Sequence, residues 1–172
     1  MKVLDIGSGA GGSAFYMART YGADVYGIDL STNMVEEARG FMAEMEPEVQ
    51  HRVQFHIKNA LTMEYPEKFY DVVYSRDAIM HNRYSDSPLK TDNQTICCRC
   101  SVEDKLLLFK RFMKTLKPGG KIMISDYCHG DKVHSQRFTD YVATRDYKLC
   151  TVKQYGNILK KAGFKDVSAL TV

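Results

Sequence analysis

Apolar residues along this chain fall into two patterns. Short runs, such as Val3-Leu4-Asp5-Ile6 and Val25-Tyr26-Gly27-Ile28, end at a glycine or an acid residue and read as strands buried on both faces. Longer stretches between them carry apolar residues three and four apart, the spacing of an amphipathic helix. Strands are predicted near residues 2–6, 24–29, 52–57, 69–74, 120–126 and 165–171. Helices are predicted near 11–21, 32–46, 102–116, 134–145 and 151–162. In 102–116 the expected buried stripe is Val102, Leu106, Phe109, Phe112, Met113 and Leu116, with Ser101 as cap and Glu103 and Asp104 in the first turn. Thr151 and Gln154 fit a capping box ahead of Val152, Tyr155, Ile158, Leu159 and Ala162, and Gly163 is a natural stop. Strand and helix alternate, so the predicted fold is α/β, a mostly parallel sheet with helices on both faces.

At 172 residues and 44% hydrophobic content, the chain suits a single domain, residues 1–172, with a real core. The net charge is +3 with acids and bases interspersed, and no basic stripe with interleaved aromatics occurs. No nucleic-acid partner is therefore expected. No apolar run approaches the ~20 residues that span a bilayer. Met1 leads directly into the first strand, with no secretory signal. Cys97, Cys98, Cys100, Cys128 and Cys150 are unevenly spread, which suits reduced thiols and a cytoplasmic location more than a disulfide framework.

Residues 82–100 interrupt the alternation. The segment is polar, carries Ser-Pro and Asp-Asn turn signals and ends in Cys97-Cys98-Arg99-Cys100, so it reads as an inserted surface loop. Three cysteines and His81 could in principle hold zinc. Adjacent cysteines strain that geometry and no second C-x-x-C pair is present, so no metal site is expected.

The candidate chemistry begins after the first strand. Gly7-Ser8-Gly9-Ala10-Gly11-Gly12 turns the chain sharply and brings backbone amides to the start of a helix, where they can meet a polar ligand. Asp29 ends the next strand about 20 residues later, where doubly wound folds place the carboxylate that grips a ribose. Gly7, Gly9 and Gly12 satisfy G-x-G-x-x-G, so the glycines alone leave a dinucleotide open. Asp5, just before the turn, would repel a pyrophosphate and suits a cationic amino acid end or its bound water. After the fourth strand, Asp77 and His81 stand four apart and share one face of a helical turn. An acid beside an imidazole orients it and raises its basicity, which helps an amine lose its proton before it attacks. The same spacing also describes an exposed ion pair on a loop.

The acid before the turn, the dense glycines and Leu116-Lys117-Pro118-Gly119-Gly120 before the fifth strand resemble class I S-adenosylmethionine-dependent methyltransferases. A narrower resemblance lies in Tyr74-Ser75-Arg76-Asp77-Ala78-Ile79-Met80-His81, in Ser125-Asp126-Tyr127-Cys128, in the block Phe138, Tyr141, Val142, Arg145, Tyr147, Leu149, Thr151, Val152, and in Gly163-Phe164. These segments, in this order, resemble phosphoethanolamine N-methyltransferases, with wording nearest the nematode and protozoan branch. The resemblance implies a Rossmann-like fold, here expected to lack the usual N-terminal cap and seventh strand. It implies S-adenosylmethionine as cofactor and methylation of phosphoethanolamine, or its mono- and dimethyl forms, toward phosphocholine.

Carried across residue by residue, the resemblance puts His81 and Asp77 at the reacting amine. Tyr127, Tyr141, Arg145 and Tyr147 then surround the phosphobase, with Arg145, Tyr147 and Tyr127 on the phosphate. An arginine fork suits a phosphate dianion, and aromatic faces suit a nitrogen gaining quaternary character. Read from spacing alone, Tyr141 and Tyr147 equally fit ordinary helix packing. On the cofactor side, Asp5, Gly7, Ser8, Gly9 and Gly11 would shape the methionine pocket and Asp29 would hold the ribose. Ile28 and Leu30 would flank the adenosine, Asn59 and Ala60 would meet the adenine, and Ser75 and Arg76 would lie beside the cofactor. No counterpart of the family's N-terminal tyrosine segment or of its later lysine is expected among these residues, and the insertion begins immediately after His81. Two further readings therefore stand: a methyltransferase for another small molecule, and a truncated isoform that binds cofactor without chemistry. The oligomeric state is left open.

Overall fold

The computed structural model describes residues 1–81 and 100–170. Five parallel strands, β1 (Lys2–Ile6), β2 (Asp24–Asp29), β3 (Val53–Ile57), β4 (Tyr70–Arg76) and β5 (Leu116–Ser125), lie in the order β3-β2-β1-β4-β5. The direction of winding reverses between β1 and β4, so their carboxyl ends open a crevice there. Helices α1 (Gly12–Tyr21), α2 (Thr32–Ala43) and the short α3 (Pro47–Gln50) precede β3. Helices α4 (Val102–Thr115), α5 (Gln136–Thr144) and α6 (Val152–Lys161) follow the segment after β4.

Two apolar layers flank the sheet. One packs Val3 and Val25 with Ala14, Phe15 and Ala18 of α1 and Val35 and Ala38 of α2. The other packs Leu4, Ile6 and Val73 with Leu108, Phe109 and Phe112 of α4 and Tyr155 and Ile158 of α6. Alternation along β1 sends Val3 to the first layer and Leu4 to the second, which is why this strand reads as an apolar run interrupted only by Asp5. Ser31, Ser101 and Thr151 cap α2, α4 and α6, the last two through complete capping boxes.

Three sequence expectations are corrected. Residues 165–170 form no strand, and Leu170 is 95% exposed. A strand needs a neighbour for its amides and carbonyls, and among the described residues no strand offers one. The buried stripe of α4 is Lys105, Leu108, Phe109, Phe112 and Thr115, while Val102 and Met113 are exposed. The helix is rotated toward a lysine that apolar spacing would not select. Its Nζ donates to the carbonyls of Cys100 at 2.7 Å and Lys148 at 3.3 Å, which lets the charge lie inside. Cys100, expected at the end of a surface loop, is fully buried in the α4 layer. The rest of that loop, 82–99, lies outside the described residues.

Leu116-Lys117-Pro118-Gly119-Gly120 opens β5 rather than preceding it. Tyr70 pairs with Leu116 and Val72 with Lys121, so the glycine-proline stretch bulges out of the ladder.

Candidate active site

The bend after β1 is built by β2. The amides of Gly7 and Ser8 both donate to the Ile28 carbonyl, at 2.8 and 3.0 Å, and the Gly9 amide donates to Asp29 Oδ2 at 2.9 Å. Asp29 Oδ1 accepts from the Ser31 amide at 2.9 Å, so this carboxylate ties the bend to the entry of α2. Gly7 is needed twice over. Its φ is +72°, and a Cβ there would stand 2.2 Å from the Cβ of Ala78. A Cβ on Gly11 would meet the rings of Phe55 and Phe15 at 2.7 and 2.8 Å.

Beside the bend lies an open cleft of about 280 Å³ lined by Asp5, Gly7, Ser8, Gly12, Ser13, Arg76 and Asp77. Asp5 is 1% exposed, and its Oδ2 has no hydrogen-bond partner among the described residues; nor has the Ser8 hydroxyl. Burial, with the charge of Asp29 added, pushes the Asp5 carboxyl up to about 7. Two buried polar atoms on a cleft wall, with amides at a helix start, make a cradle for a polar and partly cationic ligand.

The opposite lip comes from β4 and β5. Asp77 follows β4 in the left-handed region, φ +52°. Its amide donates to the Ser125 carbonyl at 2.8 Å, and the Ser125 hydroxyl donates back to Asp77 Oδ1 at 2.9 Å. Arg76 Nε stands 3.8 Å from Asp77 Oδ2 on the exposed side. Asp77 therefore has neighbours of its own at the cleft mouth. His81 ends a 3₁₀ turn, Ile79–His81, but its side chain lies outside the described residues. The expected Asp77–His81 pairing lies outside them for the same reason.

Several expected contacts take another form. Ile28 is 1% exposed and gives the site its carbonyl, its side chain being core. Leu30 is half-buried. Ser75 is fully buried and donates to the Ile6 carbonyl at 2.9 Å, a tie between β4 and β1. Asn59 Oδ1 accepts from the Leu61 amide at 2.8 Å, forming a local turn in which Ala60 is buried.

Tyr141, Arg145 and Tyr147 come together at the end of α5. The Arg145 guanidinium lies 5.4 Å from the centre of the Tyr141 ring, and the Tyr141 and Tyr147 rings stand 6.1 Å apart, edge to face. None of the three lines the cleft beside the bend, and neither does Tyr127, which is exposed. None of residues 129–149 is buried.

Sequence reasoning missed a network behind Tyr127. Asp126 Oδ1 accepts from the Tyr127 amide at 3.0 Å, and Oδ2 accepts from the Tyr155 hydroxyl at 3.0 Å. Burial raises both the Asp126 carboxyl and the Tyr155 phenol above their ordinary values. Ser13 was also missed, while Gly12 was read only as part of the glycine pattern; the signal for both is their place at the first residues of the helix that follows the bend. Among the described residues, no group of three or more histidine, cysteine or acid side chains could hold a metal ion.

A family model described as a methyltransferase domain matches residues 1–163. A phosphoethanolamine N-methyltransferase of Arabidopsis thaliana is 42% identical over 98% of this chain, which spans 29% of that protein. A phosphoethanolamine N-methyltransferase of Plasmodium falciparum is 38% identical over 96% of this chain and 54% of its own length. The plant relative thus stands nearer than the protozoan one. Phosphoethanolamine N-methyltransferase 2 of Haemonchus contortus, solved with phosphomonomethylethanolamine and S-adenosylhomocysteine, superposes with a TM-score of 0.77 at 34% identity. That match covers 96% of this chain and 33% of the nematode one.

Proposed function

We propose, because this chain belongs to the methyltransferase-domain family, that it binds S-adenosylmethionine in the cleft beside the glycine bend and methylates phosphoethanolamine or its partly methylated forms. The observation that carries this reading is Asp5, a buried carboxylate with an unpartnered oxygen on the wall of a cleft that Asp77 also lines. Such a cleft suits a ligand with cationic groups at both ends of its reach.

The residues present fit that cofactor. Asp5 and the Ser8 hydroxyl would take the amino acid end, the amides of the bend would meet its carboxylate, and Asp29 would hold the ribose through its remaining lone pairs. Leu30 and the Asn59–Ala60 turn would border the adenine, with Arg76 at the cleft rim. When bound, S-adenosylmethionine supplies an electrophilic methyl group on a sulfonium. Asp77 would hold the acceptor amine, with His81 taking its proton. Tyr127, Tyr141, Arg145 and Tyr147 would hold the phosphate end, the guanidinium as a bidentate fork. The relatives that this chain resembles at 38–42% identity carry the phosphoethanolamine name, which supports the acceptor. A cytoplasmic setting belongs to this reading, since donor and acceptor are small polar molecules. Among the described residues no helix is long and apolar enough to cross a membrane.

Calorimetric titration with S-adenosylhomocysteine, followed by mass spectrometry for methylated phosphobase, tests the proposal. Binding and product are expected. Product from another amine only would transfer the reading to another small molecule. Binding with no product would support cofactor binding alone, a reading favoured by the exposure of residues 129–149.

A further inference from the structure

Cys128 and Cys150 face each other across an isolated parallel β-bridge, and the next amide, of His129, donates to the Cys150 carbonyl at 3.1 Å. Neighbouring backbones in such a pairing run ~4.8 Å apart. That lies within the ~4.4–6.8 Å between α-carbons that a disulfide spans. Both thiols are free. Cys150 is 3% exposed, whereas Cys128 is half-buried, so a soluble oxidant meets Cys128 first. The bridge is also the stem of a chain excursion. Residues 129–149 leave at Cys128 and return at Cys150, and none of them is buried; besides the bridge, the Lys105 ammonium of α4 holds the Lys148 carbonyl near their return.

We propose that Cys128 and Cys150 are an oxidisable dithiol that closes to a disulfide against a low-molecular-weight disulfide such as oxidised glutathione. Closure staples the stem of the segment carrying Tyr141, Arg145 and Tyr147. The inference stands apart from the acceptor assigned above. The Cys128 thiolate attacks one sulfur of glutathione disulfide, forming a mixed disulfide and releasing one glutathione thiolate. The Cys150 thiolate then attacks the Cys128 sulfur, forms the intramolecular bond and expels the second glutathione. The two protein thiols lose two protons and two electrons, and the glutathione disulfide is reduced to two glutathiones.

Electrostatics select the pair and slow it. Burial raises both thiols, Asp126 at the end of β5 raises them further, and Lys105 of α4 opposes this. The Tyr155 phenol of α6 also faces Cys128. Closure therefore quickens as the solution becomes more alkaline and more thiolate forms. Cys100, the third described thiol, is fully buried and pushed up to about 12, so it competes poorly.

The full chain is incubated with glutathione disulfide at mildly alkaline pH, its remaining thiols are alkylated, and it is digested with trypsin. Cys128 falls in peptide 122–132, Cys150 in 149–153, Cys100 in 100–105, and Cys97 and Cys98 in 91–99. The expected product links 122–132 to 149–153. It disappears in Cys150→Ser and gives way to mixed pairings in concentrated urea. Hydrogen exchange across residues 129–149 slows in the oxidised protein. Full alkylation of both thiols, a dominant link through another cysteine, or the same pairings in native and urea samples would overturn the dithiol. Unchanged exchange in the linked protein would overturn the staple.

Discussion

Ser125 and Asp77 clasp each other across the carboxyl ends of two neighbouring strands, one bond running each way. The Asp77 amide donates to the Ser125 carbonyl at 2.8 Å, and the Ser125 hydroxyl donates to the Asp77 carboxylate at 2.9 Å. The backbone bond holds Asp77 in its left-handed conformation, and the side-chain bond aims its carboxylate. Ser125→Ala keeps the first and loses the second. Stability should fall by about 1 kcal/mol, the usual worth of such a bond. Phosphobase affinity should fall several-fold while S-adenosylhomocysteine affinity holds, and Ser125→Thr should restore it. Calorimetry on the three proteins decides; equal loss for both ligands would remove Ser125 from the positioning of Asp77.

The glycines of the bend should not be equivalent. Gly7→Ala brings both a left-handed alanine and a Cβ 2.2 Å from that of Ala78, and should cost about 3 kcal/mol. Gly9 also has a positive φ, +52°, but no atom lies within 4 Å of its Cβ position, so Gly9→Ala should cost about 1 kcal/mol. Adding Ala78→Gly to Gly7→Ala should recover the steric part and leave the backbone part. Urea unfolding of the wild type and these three variants measures this, and a Gly9→Ala loss equal to that of Gly7→Ala would contradict it.

Asp5 gives stability a distinctive pH dependence. Its folded value is raised to about 7 from an ordinary 3.8, so above pH 4 the unfolded chain ionises while the folded chain holds the proton. Stability from this group is full below about pH 4 and is lost progressively as pH rises to about 7, by a total on the order of 4 kcal/mol. Asp5→Asn cannot ionise, so its stability should vary less over that window and exceed wild type at pH 8. Cofactor affinity should show the opposite trend in the wild type, since a cationic amino acid end selects the carboxylate. Denaturation and calorimetry at pH 5, 6, 7 and 8 test both slopes. A flat wild-type curve against an unchanged Asp5→Asn curve would refute the assignment.

Arg145 and Asp29 should separate the two ligands. Arg145 is exposed, so Arg145→Ala should move stability by no more than about 0.5 kcal/mol and weaken the phosphobase alone. Asp29 anchors the amides of Gly9 and Ser31, so Asp29→Ala should weaken the cofactor and cost about 2 kcal/mol besides. A uniform loss for both ligands in either variant would break the division.

The strands β1 and β2 and the bend between them are legible in the sequence because they rest on local rules. Apolar runs need burial on both faces, and left-handed turns need glycine. Asp29 is legible for the same reason, its spacing from Gly9 being set by one helix and one strand. The Ser125–Asp77 clasp is not, because it joins residues 48 apart through the register of a whole sheet. Lys105 hides because a buried lysine depends on carbonyls at Cys100 and Lys148, which no periodicity reveals. The sixth strand misleads in the opposite sense, since its composition suits a strand that has no neighbour among the described residues.

An excursion that departs and rejoins at one point, with no residue sunk into either apolar layer, can change without disturbing the sheet. Residues 129–149 therefore have more room to vary in sequence than the glycine bend, where Gly7 and Gly11 are held by close neighbours. Under the function proposed above, the acceptor side would then vary as a single interchangeable cassette while the donor cleft is kept.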